Sequence, residues 1–142
     1  VGTPNACELG WLTGRTVADR DAALAAARAL LATGPELVIV TSIPEGKASL
    51  GLLAVTATHA WALSVPKLTF PVAPNGAGDA IAGLLAAHLT RGATPDRALA
   101  AAGNAIHRVL EATHDAGRRE LALPAAQDAL AEPGTRFTVA AL

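Results

Sequence analysis

The residues best suited to chemistry lie in one short turn, Gly76-Ala77-Gly78-Asp79, at the start of an apolar stretch rich in helix-forming residues. The first amides of a helix have no intrahelical partner, and the helix dipole places partial positive charge beside them. Glycine at positions 76 and 78 lets an anion approach the main chain closely. The turn therefore predicts an anion site of the kind that binds phosphate groups.

Asp79 needs a separate explanation, because a carboxylate repels a phosphate that lies beside it. One interpretation is functional: Asp79 accepts the proton of a hydroxyl group that attacks phosphorus. The other is structural: Asp79 is an ordinary acidic residue of a first helical turn, where it complements the helix dipole. The position of Asp79 alone does not separate these two interpretations.

Two other glycine-rich motifs fit the turn less well. Gly76, Gly78 and Gly83 approach the dinucleotide-binding spacing, but that motif requires a buried strand that runs straight into the first glycine. Pro71 and Pro74 interrupt the preceding segment and argue against such a strand. A Walker A loop is excluded because no Lys-Ser or Lys-Thr pair follows the glycines.

The elements that must position this turn predict an α/β fold. Residues 37–40 form a short β-branched run typical of a buried, parallel strand, and residues 50–56 and 59–65 are typical of a hairpin. A loop is predicted between them because Pro44 and Gly46 interrupt the pattern. Helices are predicted at 5–13, 16–33, from Asp79 to Arg91, from Pro95 to about His114 and at 124–131, with a last strand at 137–139.

Composition limits the classes of function. The chain has 142 residues, enough for one domain with a real core, and a net charge of -1 with both signs interspersed, which gives no reason to expect nucleic acid. No apolar run reaches the roughly 18 to 20 residues of a membrane span. The single cysteine, Cys7, cannot form an internal disulfide and is expected to be buried on a helix face. The histidines lack metal-ligand spacing, and Arg118-Arg119-Glu120 is interpreted as a solvated charged surface. We therefore expect a soluble, cytoplasmic protein.

The turn and three further stretches together resemble one family. Gly76-Ala77-Gly78-Asp79 is similar to the Gly-x-Gly-Asp signature of ribokinase-like kinases, although the family usually has Thr or Val where this chain has Ala77. The ordered set covers nearly the whole chain and resembles the pyridoxal kinases within that superfamily. The other stretches are Thr3-Pro4-Asn5-Ala6-Cys7-Glu8-Leu9, Val40-Thr41-Ser42, and Ala125-Ala126-Gln127-Asp128 with Ala131-Glu132-Pro133 and Phe137.

The resemblance implies a fold and a reaction. The implied fold is a ribokinase-like three-layer α/β/α arrangement with a mixed, mostly parallel sheet and helices on both faces. Residues 1–142 would be its C-terminal, nucleotide-binding and catalytic half. The implied reaction is ATP-dependent phosphorylation of the 5′-hydroxymethyl group of pyridoxal, with Mg²⁺, room for a monovalent cation such as K⁺, and a homodimer when full length. Another ribokinase-like kinase, for a sugar, nucleoside or hydroxymethylpyrimidine, and an incomplete half-domain without activity remain alternatives.

The resemblance also implies roles for individual residues. Asp79 would be the catalytic base that contacts the substrate, and the main chain of Gly76, Ala77 and Gly78 would form the anion hole before it. Glu8 would meet the metal, directly or through water, although a carboxylate at this position also suits a helix cap. The residues expected to contact the nucleotide are Thr3, Asn5, Glu8, Thr41, Ser42, Val65, Pro66, Lys67 and Leu68.

Two of these nucleotide contacts have plain structural alternatives. Thr41 and Ser42 follow a predicted strand, where two hydroxyls either bind phosphate or ribose or simply satisfy the end of the strand. Lys67 lies in a predicted loop, where a lysine is commonly just solvated. The residues themselves leave both alternatives open.

Overall fold

The computed structural model describes residues 1–142 and divides them into two units. Unit 1 contains Val1–Pro66 and Thr138–Leu142, and unit 2 contains Lys67–Phe137. Unit 1 holds a sheet with helices and unit 2 is helical, so the α/β class is confirmed. None of the helices combines the length and the apolar character that crossing a membrane requires.

Unit 1 is built on a four-stranded sheet in the order β1-β2-β3-β4. Its strands are β1 (Val38–Glu45), β2 (Ser49–Val55), β3 (Ala60–Pro66) and β4 (Ala140–Ala141). Short turns at residues 46–48 and 56–59 join the first three strands, and connections this short reverse the chain direction. The predicted hairpin is therefore confirmed as β2 and β3.

The sheet differs from the mostly parallel one that was expected. All three pairs of neighbouring strands are antiparallel, and parallel pairing occurs only at isolated bridges from Gly2 to Val38 and from Asn5 to Thr41. The reason is that β1 extends to Glu45, within the loop that was predicted around Pro44 and Gly46, and a turn at residues 46–48 leads directly into β2 without a crossover helix. Pro44 lies within β1, opposite Leu50. It is tolerated because β1 is the first strand in the sheet order, and an edge strand accommodates a residue without an N–H group.

Two helices cover one face of this sheet. The helix α1 is Ala6–Thr13 and α2 is Arg20–Leu31, close to the predicted bounds. Asp19 begins α2, because its carboxylate accepts a hydrogen bond from the Ala22 amide at 2.8 Å. Small residues on α2 let it lie close to the strands. The core consists of Leu9, Ala23, Ala26, Ala27, Val38, Val40, Ile43, Leu53, Val55, Ala60 and Ala62.

Unit 2 is built around a helical hairpin. The helix α3 is Ala77–Thr90 and α4 is Pro95–Asp115, and they pack along their length. Pro95 occupies the first position of α4, where its missing N–H removes no helical hydrogen bond. A 3₁₀ turn, Pro124–Ala126, leads into α5, Gln127–Ala131, as the 124–131 helix predicted.

The predicted last edge strand is present, but it begins at Ala140 and not at Phe137, and Asn104 on α4 explains the difference. The Asn104 carboxamide accepts from the Phe137 amide at 2.9 Å and donates to the Phe137 carbonyl at 2.9 Å. Both main-chain groups of Phe137 are thus occupied by one buried side chain and cannot join a sheet. The strand β4 forms three residues later.

His107 lies against the same segment and is only 2% exposed. Its ring meets the Phe137 ring edge-on, with centroids 4.8 Å apart. Its Nε2 lies 3.4 Å from the Glu111 Oε1, without the geometry of a hydrogen bond. Burial is the main cause that lowers the pKa of His107; the nearby Glu111 carboxylate raises it and the Arg136 guanidinium lowers it further. The imidazole is therefore neutral in the folded protein near pH 7.

A stability measurement tests this environment. The pKa of His107 is lower in the folded protein than in the unfolded chain, so the unfolded chain binds the proton first as the pH falls. The stabilisation is present above an unfolded pKa near 6.5 and is lost below it. Between about pH 7.5 and about pH 5.5, we expect the wild type to lose more unfolding free energy than His107→Leu. Equal losses, measured by urea unfolding with far-UV circular dichroism, would contradict the buried neutral ring.

Candidate active site

The glycine turn in unit 2 is fixed by its main chain. Gly76 is the N-cap of α3 with a φ of 86°, in the left-handed region that favours glycine. The Asn75 amide donates to the Arg119 carbonyl at 3.0 Å, and Asn75 forms a parallel bridge with Glu120. The segment at 119–120 therefore holds the residue before the turn and leaves the helix start itself uncovered.

Three consecutive amides at this helix start are available to a ligand. The first hydrogen bond that closes the helix runs from the Ala80 amide to the Gly76 carbonyl at 2.9 Å, and the amides of Ala77, Gly78 and Asp79 donate to no protein acceptor. A Cβ atom placed on Gly78 would meet nothing within 4 Å. Such a row of amides, reinforced by the helix dipole, can hold the oxygens of a phosphoryl group.

Asp79 is the third residue of α3 and is exposed. It does not cap the helix, because no side chain forms a capping hydrogen bond at this start. It also takes part in none of the ion pairs of the structure. Its carboxylate is thus free to accept a proton from an external group. Of the structural roles, only the favourable interaction of the Asp79 carboxylate with the dipole of α3 remains.

Asn5 and Glu8 form a capping box at the start of α1. The Asn5 Oδ1 accepts from the Glu8 amide at 2.9 Å, and the Glu8 Oε2 accepts from the Asn5 amide at 2.9 Å. The prediction that Glu8 caps the start of α1 is therefore confirmed. It leaves the Glu8 Oε1 without a protein partner, so the cap orients the carboxylate and keeps one oxygen available.

The two hydroxyl residues that follow Val40, Thr41 and Ser42, lie within a β-bulge. The register of β1 against β2 shifts between Val40 and Ile43, and Ser42 has a φ of 57°, in the left-handed region. Thr41 is 8% exposed, whereas Ser42 is exposed and lines a cavity with Asn5. Because Thr41 is buried and Ser42 is exposed, the two hydroxyls do not act as an adjacent pair.

The remaining predicted contacts lie at the ends of extended segments. Thr3 is exposed within the segment that runs beside β1. Val65 and Pro66 end β3, and Lys67 and Leu68 follow it as the first residues of unit 2. The Lys67 side chain is exposed and forms none of the ion pairs of the structure, which agrees with a solvated lysine and leaves its ammonium group available.

Two features of the site were not foreseen from the sequence. Arg119 and Glu120 were interpreted as part of a solvated surface, yet their main chain supports the glycine turn through Asn75. No sequence signal marks this role, because it uses only backbone groups. Cys7 was expected in the core and is exposed, since the buried side chain of α1 is Leu9.

A metal site can be tested against these residues. No group of three or more His, Cys, Asp and Glu side chains gathers in the structure as a metal site. One oriented carboxylate, Glu8, instead suits Mg²⁺, which keeps several waters and is commonly bound through one or two carboxylates and substrate phosphates. The residues present therefore fit a metal that arrives with a nucleotide.

Two substitutions at Glu8 separate the hydrogen bond of the cap from the charge. A glutamine can still accept from the Asn5 amide, so we expect Glu8→Gln to keep the unfolding free energy within about 0.5 kcal/mol of the wild type. Glu8→Ala removes the acceptor and should cost about 1 kcal/mol. Urea unfolding measures both. If the two variants were equally destabilised, the charge of Glu8, and not its hydrogen bond, would stabilise α1.

Comparison with known proteins gives a consistent result. The model of the pfkB family of carbohydrate kinases matches residues 1–110. A pyridoxal kinase PdxY of Leifsonia xyli is 39% identical over 142 residues, which are 96% of this chain and 49% of that protein. The PdxY of Rubrobacter xylanophilus is 41% identical over 143 residues, with 98% and 49% covered. The chain thus spans about half the length of these relatives.

Solved structures show the same relation. A pyridoxal kinase from Entamoeba histolytica superimposes with a TM-score of 0.87 at 26% identity, over 99% of this chain and 50% of that one. The pyridoxal kinase from Leishmania donovani in complex with ADP and pyridoxine gives a TM-score of 0.88 at 25% identity, over 99% and 50%. The similarity therefore extends over this whole chain and half of each neighbour.

Proposed function

We propose that this chain, which belongs to the pfkB family of carbohydrate kinases, is the C-terminal, nucleotide-binding and catalytic half of a pyridoxal kinase. The reaction would transfer the γ-phosphoryl group of ATP to the 5′-hydroxymethyl group of pyridoxal and give pyridoxal 5′-phosphate and ADP. The observation that carries this proposal is the row of three free amides at residues 77–79, which ends on a carboxylate without a protein partner. Relatives named pyridoxal kinase, matched over nearly the whole chain, support the choice of substrate.

The chemistry follows from the properties of the turn. The amides of Ala77, Gly78 and Asp79 would bind the oxygens of the migrating phosphoryl group and stabilise the charge on them. The bond between the alcohol oxygen and phosphorus forms as the bond to the ADP oxygen breaks, and the alcohol proton passes to the Asp79 carboxylate. A carboxylate is a weak base toward a free alcohol. It suffices here because the alcohol becomes acidic only as it bonds to phosphorus.

The nucleotide would meet residues of unit 1 as well. Mg²⁺ would neutralise charge on the phosphates, and the free oxygen of Glu8 would hold it directly or through water. Ser42, next to Asn5 on one cavity, and Lys67, whose ammonium group is available, are proposed to contact phosphate. The remaining proposed contacts are Thr3, Thr41, Val65, Pro66 and Leu68.

The same proposal covers the whole kinase. A nucleotide substrate is supported by the solved pyridoxal kinase that holds ADP and pyridoxine. We extend it to Mg²⁺ as the metal, to a monovalent cation such as K⁺, and to a cytoplasmic homodimer for the full-length protein. These extensions rest on the resemblance to the family.

The substrate is tested with the full-length kinase. A coupled assay for ADP release should show turnover with pyridoxal and a kcat/KM about 100-fold lower with a sugar, a nucleoside or hydroxymethylpyrimidine, because these lack the contacts of the vitamin pocket. Mass spectrometry of the product should show one added phosphoryl group. Turnover of another acceptor in preference to pyridoxal would assign a different kinase of the family, and ATP binding without turnover would indicate a non-catalytic domain.

The role of Asp79 is tested by a matched pair of first-turn acids. Asp79→Asn in the full-length kinase should lower kcat by about 10² to 10⁴, while the nucleotide dissociation constant measured by calorimetry stays near the wild-type value. Asp96 is the first-turn acid of α4, beside the hydroxyl of Thr94 that lowers its pKa. Asp96→Asn removes an acid from the first turn of another helix and should keep kcat. If both variants turned over at the wild-type rate, Asp79 would not be the base.

A further inference from the structure

Three polar side chains from distant parts of unit 1, Arg20, Glu45 and Ser64, form one hydrogen-bonded group, the polar cluster. The Glu45 carboxylate of β1 accepts from the Arg20 Nε at 2.7 Å and from the Ser64 hydroxyl at 2.6 Å. The Arg20 Nη2 also donates to the Ser64 Oγ at 2.8 Å. Each member thus contacts the other two, and the polar cluster joins the start of α2, the end of β1 and the end of β3.

The polar cluster crosses β2, the strand between β1 and β3, over a glycine. Gly51 of β2 lies opposite Ser64 on one side and opposite Ile43 of β1 on the other. A Cβ atom on Gly51 would lie 2.5 Å from the Glu45 Oε1 and 2.8 Å from the Glu45 Cδ. A glycine weakens the interior of a strand, but here it leaves the space that the Glu45 carboxylate occupies. The missing side chain at Gly51 is therefore what lets Glu45 reach Ser64.

Stability alone gives a weak reason for this arrangement. The Glu45 side chain is 15% exposed and the Arg20 side chain is 35% exposed, so both charges lose part of their hydration. The attraction within a partly buried ion pair roughly offsets that loss, and apolar side chains in the same place commonly stabilise a fold as well or better. What the polar cluster does provide is a defined geometry, because its hydrogen bonds fix the distance between the strands that carry it.

The two strand ends that the polar cluster joins are held by the sheet on one side only. Thr41 and Ser42 form the bulge of β1, where two residues face the single residue Leu52, so the ladder is interrupted there. The strand β3 pairs with β4 over two residues only, and its end, up to Pro66, pairs with β2 alone. The polar cluster adds a second attachment to each of these ends.

We infer that the polar cluster positions two segments of unit 1, residues 41–42 and 65–66, for nucleotide binding. The inference rests on the proposed function, in which both segments contact the nucleotide. Glu45 lies three residues after the first segment, and Ser64 immediately precedes the second. A shift of Glu45 or Ser64 would therefore move the adjoining segment, and the two segments would lose the spacing that one ligand requires. The members of the polar cluster are thus positioning residues, which act through these segments.

Gly51→Ala tests the inference without changing any member of the polar cluster. Its added methyl group occupies the place of the Glu45 carboxylate and displaces it. In the full-length kinase we expect the dissociation constant of ADP, measured by calorimetry, to rise about tenfold. Ser64→Ala, at an exposed position, should raise it to a similar extent, whereas Ser64→Thr keeps the hydroxyl and should stay within about twofold of the wild type. Wild-type affinity in both Gly51→Ala and Ser64→Ala would overturn the inference.

A double substitution tests whether Gly51 acts through Glu45. Glu45→Ala removes the carboxylate, so adding Gly51→Ala to it should change the dissociation constant of ADP no further. A combined increase of about 100-fold, the product of two independent effects, would show that Gly51 affects the site without Glu45 and would contradict the inference.

Val55→Ala is the matched control for a purely structural effect. Val55 is fully buried in β2, so truncation of its side chain should lower the urea midpoint while the affinity for ADP stays at the wild-type value. An equal loss of ADP affinity in Val55→Ala and Gly51→Ala would reduce the polar cluster to a stability element. At saturating ATP, Gly51→Ala and Ser64→Ala should keep kcat, because a contact that binds substrate and transition state alike changes KM only. A lower kcat with an unchanged KM for ATP would contradict the positioning role.

Calorimetry with ADP requires no acceptor, so this test is separate from the test of the substrate. Turnover of pyridoxal by the wild type, together with unchanged ADP affinity in the variants, would overturn the inference alone. ADP binding by the wild type without turnover of pyridoxal would overturn the proposed substrate alone. A wild type that binds no ADP would overturn both.

Discussion

The start of α3 is the constraint on which the functional argument depends. Four N–H groups of any helix start lack helical acceptors, and here three of them, at Ala77, Gly78 and Asp79, also lack any other protein acceptor. Because the turn is exposed, water can satisfy these donors until an anion replaces it. The left-handed Gly76 sets the direction of the turn, and the hydrogen bond from Asn75 to Arg119 fixes its position. A binding site formed by main-chain amides therefore depends on other main-chain groups to fix its position.

The two helix starts that carry predicted site residues are built on opposite principles. At α1 the side chains of Asn5 and Glu8 satisfy each other's amides, so two of the amides at this start are occupied and a carboxylate oxygen is presented beside it. At α3 the N-cap is Gly76, which has no side chain, so the amides stay open and Asp79 stays unpaired. The first start suits a cation and the second suits a phosphate, because one exposes a carboxylate oxygen and the other exposes N–H donors.

Local signals in the sequence predicted most of the elements, whereas features that depend on distant residues were missed. The start of α4 at Pro95 and the hairpin of β2 and β3 follow from short-range rules, and both were confirmed. The bulge at Ser42 and the hydrogen bonds between Asn104 and Phe137 depend on partners far along the chain. A sequence pattern contains no information on such partners, so the last edge strand was predicted three residues too early. The mixed, mostly parallel sheet that the resemblance implied is antiparallel in all three strand pairs of this chain.

The conformation of the glycine turn could be predicted from the sequence because it is local, whereas the role of these residues as a site stays a prediction. An anion hole at residues 77–79 requires only a glycine turn and a helix after it, and both are visible in the sequence. The metal contact proposed for Glu8 must be reconciled with its role in the fold, since Glu8 caps α1 through one oxygen and leaves the other without a protein partner. A capping role and a binding role are therefore compatible, because a carboxylate fixed by one hydrogen bond loses less rotamer entropy when its second oxygen binds. Structural use of a residue is thus no argument against its function when the residue has two equivalent atoms.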